Sequence, residues 1–217
     1  MDTSFLKKKV ALAALSHIEP DCILGIGSGS TVNALIEAMA RENIAIKAAV
    51  ASSLASEQLL RQHGFNVISL EETNGIDLYL DGADAVDPCR RLLKGGGGAL
   101  TREKIVASAA SKFICIVDAS KRVDQLGQFP LAIEIIPMAR MVISRQLTAL
   151  GGRPQLRHNF ITDNGLQILD VWDMDFSSPE QLESELNQIP GIVCHGLFAR
   201  RPADLVMVAH SDGLTHW

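Results

Sequence analysis

The stretch DCILGIGSGSTVNALIEAMA, residues 21–40, decides the class of fold. Its first seven residues form a short apolar run that ends in glycine, which is typical of a buried β-strand. The residues after it, from Ser30 to Ala40, place Leu35, Ile36 and Met39 on one side of a helix. A buried strand that passes through a glycine-rich turn into an amphipathic helix is the repeating unit of an α/β fold.

The same alternation of strand and helix patterns continues on both sides of this stretch. Helical patterns occur at residues 3–17, 53–63 and 99–110, and strand patterns occur at 46–50, 65–69, 76–80 and 113–117. We therefore predict an α/β domain over residues 1–128, with a Rossmann-like, mainly parallel sheet and helices on both faces. An apolar run at 204–209 could rejoin this sheet, so that residues 200–217 would complete the domain.

A different pattern fills residues 129–199. Strand patterns at 132–136, 153–160, 166–172 and 191–197 are interleaved with helical patterns at 138–150 and 179–188. The resulting order is β-α-β-β-α-β, which is the order of ferredoxin-like folds. We therefore predict that residues 129–199 form a smaller, ferredoxin-like α+β domain inserted into the first domain.

Composition narrows the classes of function. The chain has 217 residues and a formal net charge of −5, which argues against nucleic acid or an anionic membrane as its main partner. Its four cysteines form no C-x-x-C pair and its six histidines are scattered, so neither a disulfide framework nor a metal site is expected. No apolar stretch approaches the roughly 20 residues of a membrane span. With no signal peptide evident, we expect a cytoplasmic protein.

The segment GIGSGST, residues 25–31, connects the first of these strands to its helix. Glycine lets a backbone approach a ligand closely, and a helix N-terminus offers N–H groups to an anion. Hydroxyls of Ser28, Ser30 and Thr31 would add donors, so the segment fits a phosphate cradle and a simple helix cap about equally well. A dinucleotide-dependent oxidoreductase is disfavoured, because Ser30 replaces the third glycine of that fingerprint and residues 47–51 contain no acid.

Three further polar segments follow predicted strands, where α/β sheets bind their ligands. Asp81-Gly82-Ala83-Asp84 offers two carboxylates for acid–base work on sugar hydroxyls, although a lone aspartate there would suit an Asx turn. Four glycines between Lys94 and Glu103 could wrap a ligand, while Glu103 alone would equally suit the first turn of a helix. The segment from Asp118 to Lys121 has a helix cap as its simpler interpretation.

Taken together, these segments favour one kind of chemistry. They supply donors for a phosphate, carboxylates, a lysine and a candidate base, but no set of metal ligands and no nucleophile–histidine pair. Metal-free proton transfer on a small phosphorylated sugar fits this inventory.

These segments also resemble a known family. The chain is similar to ribose-5-phosphate isomerases of type A over essentially its whole length, in order and without large gaps. The combination of DGAD, KGGG with LTREK, and VDASK is highly specific to that family. The matching segments are GIGSGST (25–31), YLDGAD (79–84), LLKGGGGALTREKIVA (92–107), ICIVDASKRVDQLG (114–127), IEIIPMAR (133–140), LGGRPQLR (150–157), TDNG (162–165) and IPGIVCHGLFA (189–199).

The resemblance implies interconversion of D-ribose 5-phosphate and D-ribulose 5-phosphate, without a cofactor or a metal, in the pentose phosphate pathway. It implies a sugar phosphate as the partner and a homodimer or homotetramer as the assembly. The family's general base matches Glu103, and its other catalytic positions match Asp81, Asp84 and Lys94. The substrate-binding positions match Lys7, Ser28, Gly29, Ser30, Thr31, Asp81, Gly82, Ala83, Asp84, Lys94, Gly95, Gly96, Gly97 and Lys121.

Other activities exist within the same fold family. A CoA-transferase would need a glutamate nucleophile and a CoA pocket. A non-catalytic sugar-phosphate-sensing module would keep the phosphate loop, but the retention of Lys94 and Glu103 argues against it. Two positions depart from the family pattern: Ala85 stands where an acid is usual, and Gly98 stands where many members have alanine.

Overall fold

The computed structural model describes residues 3–217. Within it the chain folds into two compact units. The first unit comprises the chain through Ala83 together with Ile105–Arg122 and Ala203–Trp217, and the second comprises Asp84–Lys104 and Val123–Pro202. That residues 129–199 are an inserted domain stays a prediction.

The elements follow one another closely along the chain. The helices are α1 (Thr3–Ala14), α2 (Ser30–Arg41), α3 (Leu54–Gln62), α4 (Leu100–Ala109), α5 (Arg140–Ala149) and α6 (Pro179–Leu186). The strands are β1 (Ile23–Ile26), β2 (Ala48–Ala51), β3 (Ile76–Asp81), β4 (Ala85–Val86), β5 (Leu92–Leu93), β6 (Ala110–Asp118), β7 (Leu131–Ile135), β8 (Arg153–Leu156), β9 (Gln167–Trp172), β10 (Ile192–His195), β11 (Leu197–Phe198), β12 (Leu205–Ala209) and β13 (Leu214–His216).

The first unit contains a six-stranded sheet in the order β13-β12-β6-β3-β1-β2. Its neighbouring strands pair in parallel, except for the antiparallel pair of β12 and β13 at one edge. This confirms the predicted mainly parallel sheet, and β12 rejoins it beside β6 as expected. Because the strands are parallel, the carboxyl ends of β1, β3 and β6 lie at one edge of the sheet, where ligands bind in such folds.

Helices cover both faces of this sheet. Residues of α1, α2 and α3 share one apolar core with alternate residues of the central strands, such as Leu24 and Ile26 of β1. Gly25 points to the opposite face, where a Cβ atom would lie 3.0 Å from Val106 of α4 and 2.9 Å from the ring of Tyr79. The glycine therefore allows α4 to pack closely on the sheet.

The predicted strand at residues 65–69 is wrong in extent. Only Val67 forms a bridge there, in parallel with Ala49. The chain then leaves the sheet, because Ser69 starts a 3-10 helix over Leu70–Glu72 in which the Glu72 carboxylate accepts from the Ser69 N–H at 2.7 Å.

The second unit contains the predicted ferredoxin-like arrangement. The elements β7-α5-β8-β9-α6-β10 build an antiparallel four-stranded sheet in the order β10-β7-β9-β8. Its core joins the two helices to one face of the sheet, and includes Ile143, Leu147, Leu182 and Leu186 of the helices. On the other face, Ala132 and Ile168 pack against Leu100, which is the first residue of α4.

The second unit also contains a small sheet that the sequence did not predict. It consists of β11, β5 and β4, each only two residues long and paired in antiparallel fashion. A strand of two residues is too short to show an alternation of apolar and polar side chains, so the sequence pattern does not predict it. Lys94, one of the predicted site residues, directly follows β5.

Candidate active site

The glycine–hydroxyl loop lies between β1 and α2, as predicted. Gly27 N–H donates to the Leu80 carbonyl at 2.9 Å, and Gly29 has a φ of 87°, a left-handed conformation that favours glycine. Helix α2 begins at Ser30, and Gly29 and Ser30 are exposed while Ser28 and Thr31 are half-buried. The loop thus presents hydroxyls and a helix N-terminus to solvent, which is the geometry of an anion site.

Asp81 holds this loop against the end of β3. Its carboxylate is fully buried, and Oδ1 accepts hydrogen bonds from Ser28 N–H at 3.0 Å and Gly82 N–H at 2.7 Å. The Tyr79 hydroxyl donates to Oδ2. A Cβ atom on Gly27 would overlap this carboxylate, so glycine is required there. These contacts give Asp81 a structural duty that the sequence did not predict.

Two buried serines, Ser52 and Ser56, also hold the backbone of the glycine–hydroxyl loop. Ser52 N–H donates to the Ile26 carbonyl at 2.9 Å, and the Ser56 hydroxyl donates to the Gly27 carbonyl at 2.6 Å. Ser53 caps α3 by accepting from Ser56 N–H at 3.0 Å. The carbonyl oxygens that flank the loop are therefore paired, which fixes the path of the backbone.

Lys94 and Glu103, two of the predicted catalytic residues, form a buried ion pair in the second unit. Lys94 Nζ lies 3.3 Å from Glu103 Oε2, and both side chains are about 95% buried, with relative exposures of 4% and 5%. Glu103 lies in the first turn of α4, and its N–H donates to the Ala99 carbonyl at 3.0 Å. Burying two charges is costly unless they are paired in good geometry, so such a pair favours a functional purpose.

Residues of β11 and its preceding turn position Lys94. Its N–H donates to the Gly196 carbonyl at 2.8 Å, and a Cβ atom on Gly196 would overlap the Lys94 carbonyl oxygen. The ring of Phe198, fully buried, lies 5.9 Å from Lys94 Nζ and 4.6 Å from Lys104 Nζ. Neither role was evident from the sequence, where only the IPGIVCHGLFA segment pointed to this region.

The glycine loop after Lys94 is shaped by close contacts. Gly96 N–H donates to Asp84 Oδ2 at 2.7 Å, and a Cβ atom on Gly96 would lie 2.7 Å from Oδ1 of the same carboxylate. Gly95 has a φ of 104° and Gly98 a φ of 82°. A Cβ atom on Gly98 would overlap the Phe160 ring, which explains why this chain has glycine there.

Arg157 holds the same loop from its other side. Its Nη1 donates to the carbonyls of Gly95 at 3.0 Å and Gly96 at 3.3 Å. Its guanidinium is paired with Asp170 at 2.5 Å and stacks over Phe160 at 5.2 Å. No motif in the sequence singled out Arg157, although it lies in a matching segment.

Of the remaining predicted residues, Lys7, Ala83 and Lys121 lie in the first unit, and Gly97, which is exposed, lies in the second. Lys7 is half-buried on α1, and Lys121 is half-buried at the end of a 3-10 helix over Ala119–Lys121. Asp118 starts that helix by accepting from Ser120 N–H at 2.9 Å. Contacts thus join Ser28 to Asp81 and Gly82 in the first unit, and join Asp84 to Gly96 and Lys94 to Glu103 in the second.

Other reactive side chains are placed differently. Burial raises the pKa of the Cys22 and Cys194 thiols. Among residues 3–217, no three His, Cys, Asp or Glu side chains are grouped to hold a metal ion. Within the same residues, no helix has the length and apolar character needed to cross a membrane.

Comparison with known proteins adds independent information. The sequence model of a family described as ribose 5-phosphate isomerase A (phosphoriboisomerase A) matches residues 48–213. The chain belongs to the ribose 5-phosphate isomerase A family. A ribose-5-phosphate isomerase A from Histophilus somni is 52% identical over 214 residues, which cover 98% of each chain.

Solved structures of family members share the whole fold. Ribose 5-phosphate isomerase A from Neisseria gonorrhoeae has a TM-score of 0.98 and 42% identity, covering 99% of this chain and 96% of its own. A D-ribose-5-phosphate isomerase in complex with phospho-erythronic acid has a TM-score of 0.96 and 38% identity, covering 100% of this chain and 99% of its own. Membership of the family makes the protein an isomerase with an α/β fold.

Proposed function

We propose that the protein interconverts D-ribose 5-phosphate and D-ribulose 5-phosphate, with Glu103 as the proton-transferring base. The observation that carries the proposal is the buried pair of Lys94 and Glu103, with 3.3 Å between Nζ and Oε2. A carboxylate held out of water beside a cation suits proton transfer from carbon next to a carbonyl. Family membership supplies the substrate pair.

The proposed reaction begins on the open-chain aldose. Glu103 removes the proton from C2, the C1–C2 bond becomes a double bond, and the electron pair of the carbonyl moves to O1. The product of this step is a cis-enediolate. The proton of the O2 hydroxyl then passes to O1, Glu103 returns its proton to C1, and O2 becomes the ketone oxygen, so that atoms and charge balance.

Lys94 would stabilise the negative charge that develops on the enediolate oxygens. Preorganised charge in a site without water is usually the largest single term in such catalysis, because it needs no reorganisation during the reaction. The Phe198 ring and the Gly196 carbonyl hold Lys94 in one position. Asp84 and the glycines Gly95, Gly96 and Gly97 are proposed to contact the sugar hydroxyls.

Phosphate binding is assigned to the loop from Ser28 to Thr31. The exposed N-terminus of α2 and the hydroxyls beside it support this assignment. Lys7 and Lys121 would add positive charge. Asp81 was expected to act on sugar hydroxyls. The hydrogen bonds that it accepts from Ser28 N–H, Gly82 N–H and the Tyr79 hydroxyl favour a further duty, which is to hold the phosphate loop.

The experiment for this proposal uses purified protein with D-ribose 5-phosphate in the presence of EDTA, and follows the formation of ribulose 5-phosphate. We expect turnover that EDTA does not reduce. Phospho-erythronic acid, which was bound to a relative, serves as the probe for binding and should inhibit competitively. Binding of ribose 5-phosphate without turnover would contradict the proposal and indicate a sensing module instead.

We further propose a homodimer or homotetramer in the cytoplasm. Three apolar side chains are exposed near the start of α5, Met138 at 92%, Met141 at 58% and Val142 at 53%. Clusters of exposed apolar side chains favour contact with another protein surface. Light scattering gives the mass, and replacing Met138 and Met141 by serine should lower it if this surface joins subunits; an unchanged mass would exclude it.

A further inference from the structure

A buried carboxylate outside the proposed substrate-binding set points to a further functional residue. Glu134 lies in β7, has a relative exposure of 0%, and is not among the residues predicted to contact substrate. The hydroxyls of Thr101 and Thr162 donate to its two oxygens. Asn164 Nδ2 lies 3.2 Å from each oxygen. A buried carboxylate held by neutral donors is costly, so it needs a reason to be there.

The donors link Glu134 to the start of α4. Thr101 precedes Glu103 by two residues in the first turn of this helix. The next residue, Arg102, donates through Nε to Asn164 Oδ1 at 2.9 Å and through Nη2 to the Asp163 carbonyl at 3.0 Å. Glu134 therefore fixes Thr101 directly and fixes Arg102 through Asn164.

The residues on either side of this turn are also anchored. Leu100 packs on Ala132 and Ile168 of the four-stranded sheet. Lys104 Nζ pairs with Glu183 Oε1 at 2.6 Å and donates to the Leu197 carbonyl at 2.5 Å. The residues on both sides of Glu103 are thus tied to other elements of the second unit, and Glu134 is the acceptor on which two of these ties depend.

We propose that Glu134 is a positioning residue for the base Glu103, acting through Thr101 and the loop at 162–164. This inference rests on the proposed function, in which Glu103 transfers the proton. Proton transfer needs the base within hydrogen-bond reach of the proton, and a misplacement of about 1 Å costs about 100-fold in rate. Loss of the Glu134 contacts should therefore affect the chemical step more than substrate binding.

The test compares Glu134→Gln, Thr101→Val and Thr101→Ser with the wild type on ribose 5-phosphate. The side-chain amide of glutamine has one oxygen that accepts and one NH₂ group that only donates, so it cannot accept hydrogen bonds from both threonines. Valine removes the Thr101 hydroxyl and keeps nearly the same shape. We expect kcat to fall by about 10-fold or more in both. KM and the inhibition constant of inorganic phosphate should change by less than about 2-fold, because the phosphate loop is untouched. Thr101→Ser keeps the hydroxyl and should restore most of kcat.

The control is Asp87→Asn. Asp87 is a buried acid of the same unit, bound by Arg91 at 2.6 Å, and it makes no described contact with α4. Asp87→Asn should lower thermal stability but not kcat. If Glu134→Gln or Thr101→Val lowers only the melting temperature, the positioning role is refuted.

Further variants separate a failure to fold from a loss of positioning, and separate the role of Glu134 from that of Glu103. Should Glu134→Gln fail to fold, the Thr101→Val and Thr101→Ser pair decides alone, and equal kcat in these two variants would overturn the inference. Glu103→Gln is measured alongside. Normal turnover in Glu103→Gln refutes the proposed base, whereas an inactive Glu103→Gln with a fully active Glu134→Gln refutes only the inference drawn from Glu134.

Discussion

Asp81→Asn tests how the phosphate loop is held in place. Asn and Asp have nearly the same shape, but the replacement removes the negative charge from a side chain that is fully buried. In the wild type this charge accepts hydrogen bonds from Ser28 N–H at 3.0 Å, Gly82 N–H at 2.7 Å and the Tyr79 hydroxyl. The amide oxygen of Asn can keep the first two bonds, and its NH₂ group must face the hydroxyl.

The expected magnitude follows from these bonds. A hydrogen bond to a charged group contributes about 1.5–3 kcal/mol, and a neutral one about 0.5–1.5 kcal/mol. Weakening the bond from Ser28 alone should therefore free the loop by about 1–1.5 kcal/mol. If that free energy is needed to order the loop for phosphate, KM for ribose 5-phosphate and the inhibition constant of inorganic phosphate should both rise about 5- to 12-fold.

The assay measures kcat, KM and phosphate inhibition for Asp81→Asn and for Tyr79→Phe. Tyr79→Phe removes only the hydroxyl that donates to Oδ2, so it should produce a smaller change in the same direction. An unchanged phosphate inhibition constant in Asp81→Asn, together with a loss of kcat, would refute the holding role. It would instead support the expectation that Asp81 acts on the sugar.

Three further predictions concern stability and the position of Lys94. Burial lowers the pKa of His195 well below its usual value, with the positive charge of Lys104 adding to the effect. As the pH falls, the unfolded chain therefore protonates His195 before the folded chain does. The stability that the folded chain has with a neutral His195 is fully present above about pH 6.5 and is lost as the pH falls below it, by up to about 1.4 kcal/mol per pH unit. Urea unfolding at pH 7.5 and 5.5 should show a smaller pH dependence for His195→Gln; an equal dependence would contradict the reasoning. Gly98→Ala, at a φ of 82°, should cost about 1–2 kcal/mol and lower the melting temperature by about 2–8 °C, whereas an unchanged or higher value would contradict the contact with Phe160. Phe198→Leu should lower kcat more than it raises KM, because the ring that lies beside Lys94 is lost, and a change confined to KM would argue against that role.

The sequence predicted the parts of the fold that repeat a pattern. The pattern of buried strands followed by amphipathic helices predicted the mainly parallel sheet, which has six strands in the first unit. The order β-α-β-β-α-β predicted the four-stranded sheet of the second unit. The pairs formed by β4, β5 and β11 are two residues long and depend on partners distant in sequence. The prediction of a strand at 65–69 was wrong in extent, because the apolar residues there do not indicate that the chain enters a 3-10 helix at Leu70.

The candidate site could be predicted in its chemical groups but not in its supports. Loops rich in glycine and charge drew attention to the segments around Ser28, Asp81 and Lys94, because such residues are costly without a purpose. The supports were missed because nothing local in the sequence shows that Phe198 lies beside Lys94 or that Glu134 accepts from Thr101. Contacts between residues so distant in sequence emerge only from the folded chain.

The most direct test of the central claim is kcat of Glu103→Gln relative to wild type, measured on ribose 5-phosphate with EDTA present. The replacement keeps the shape of the side chain and removes its ability to take a proton. We predict a loss of about 10²–10⁴-fold in kcat with ribose 5-phosphate still bound. A kcat close to that of the wild type would contradict the assignment of Glu103 as the base.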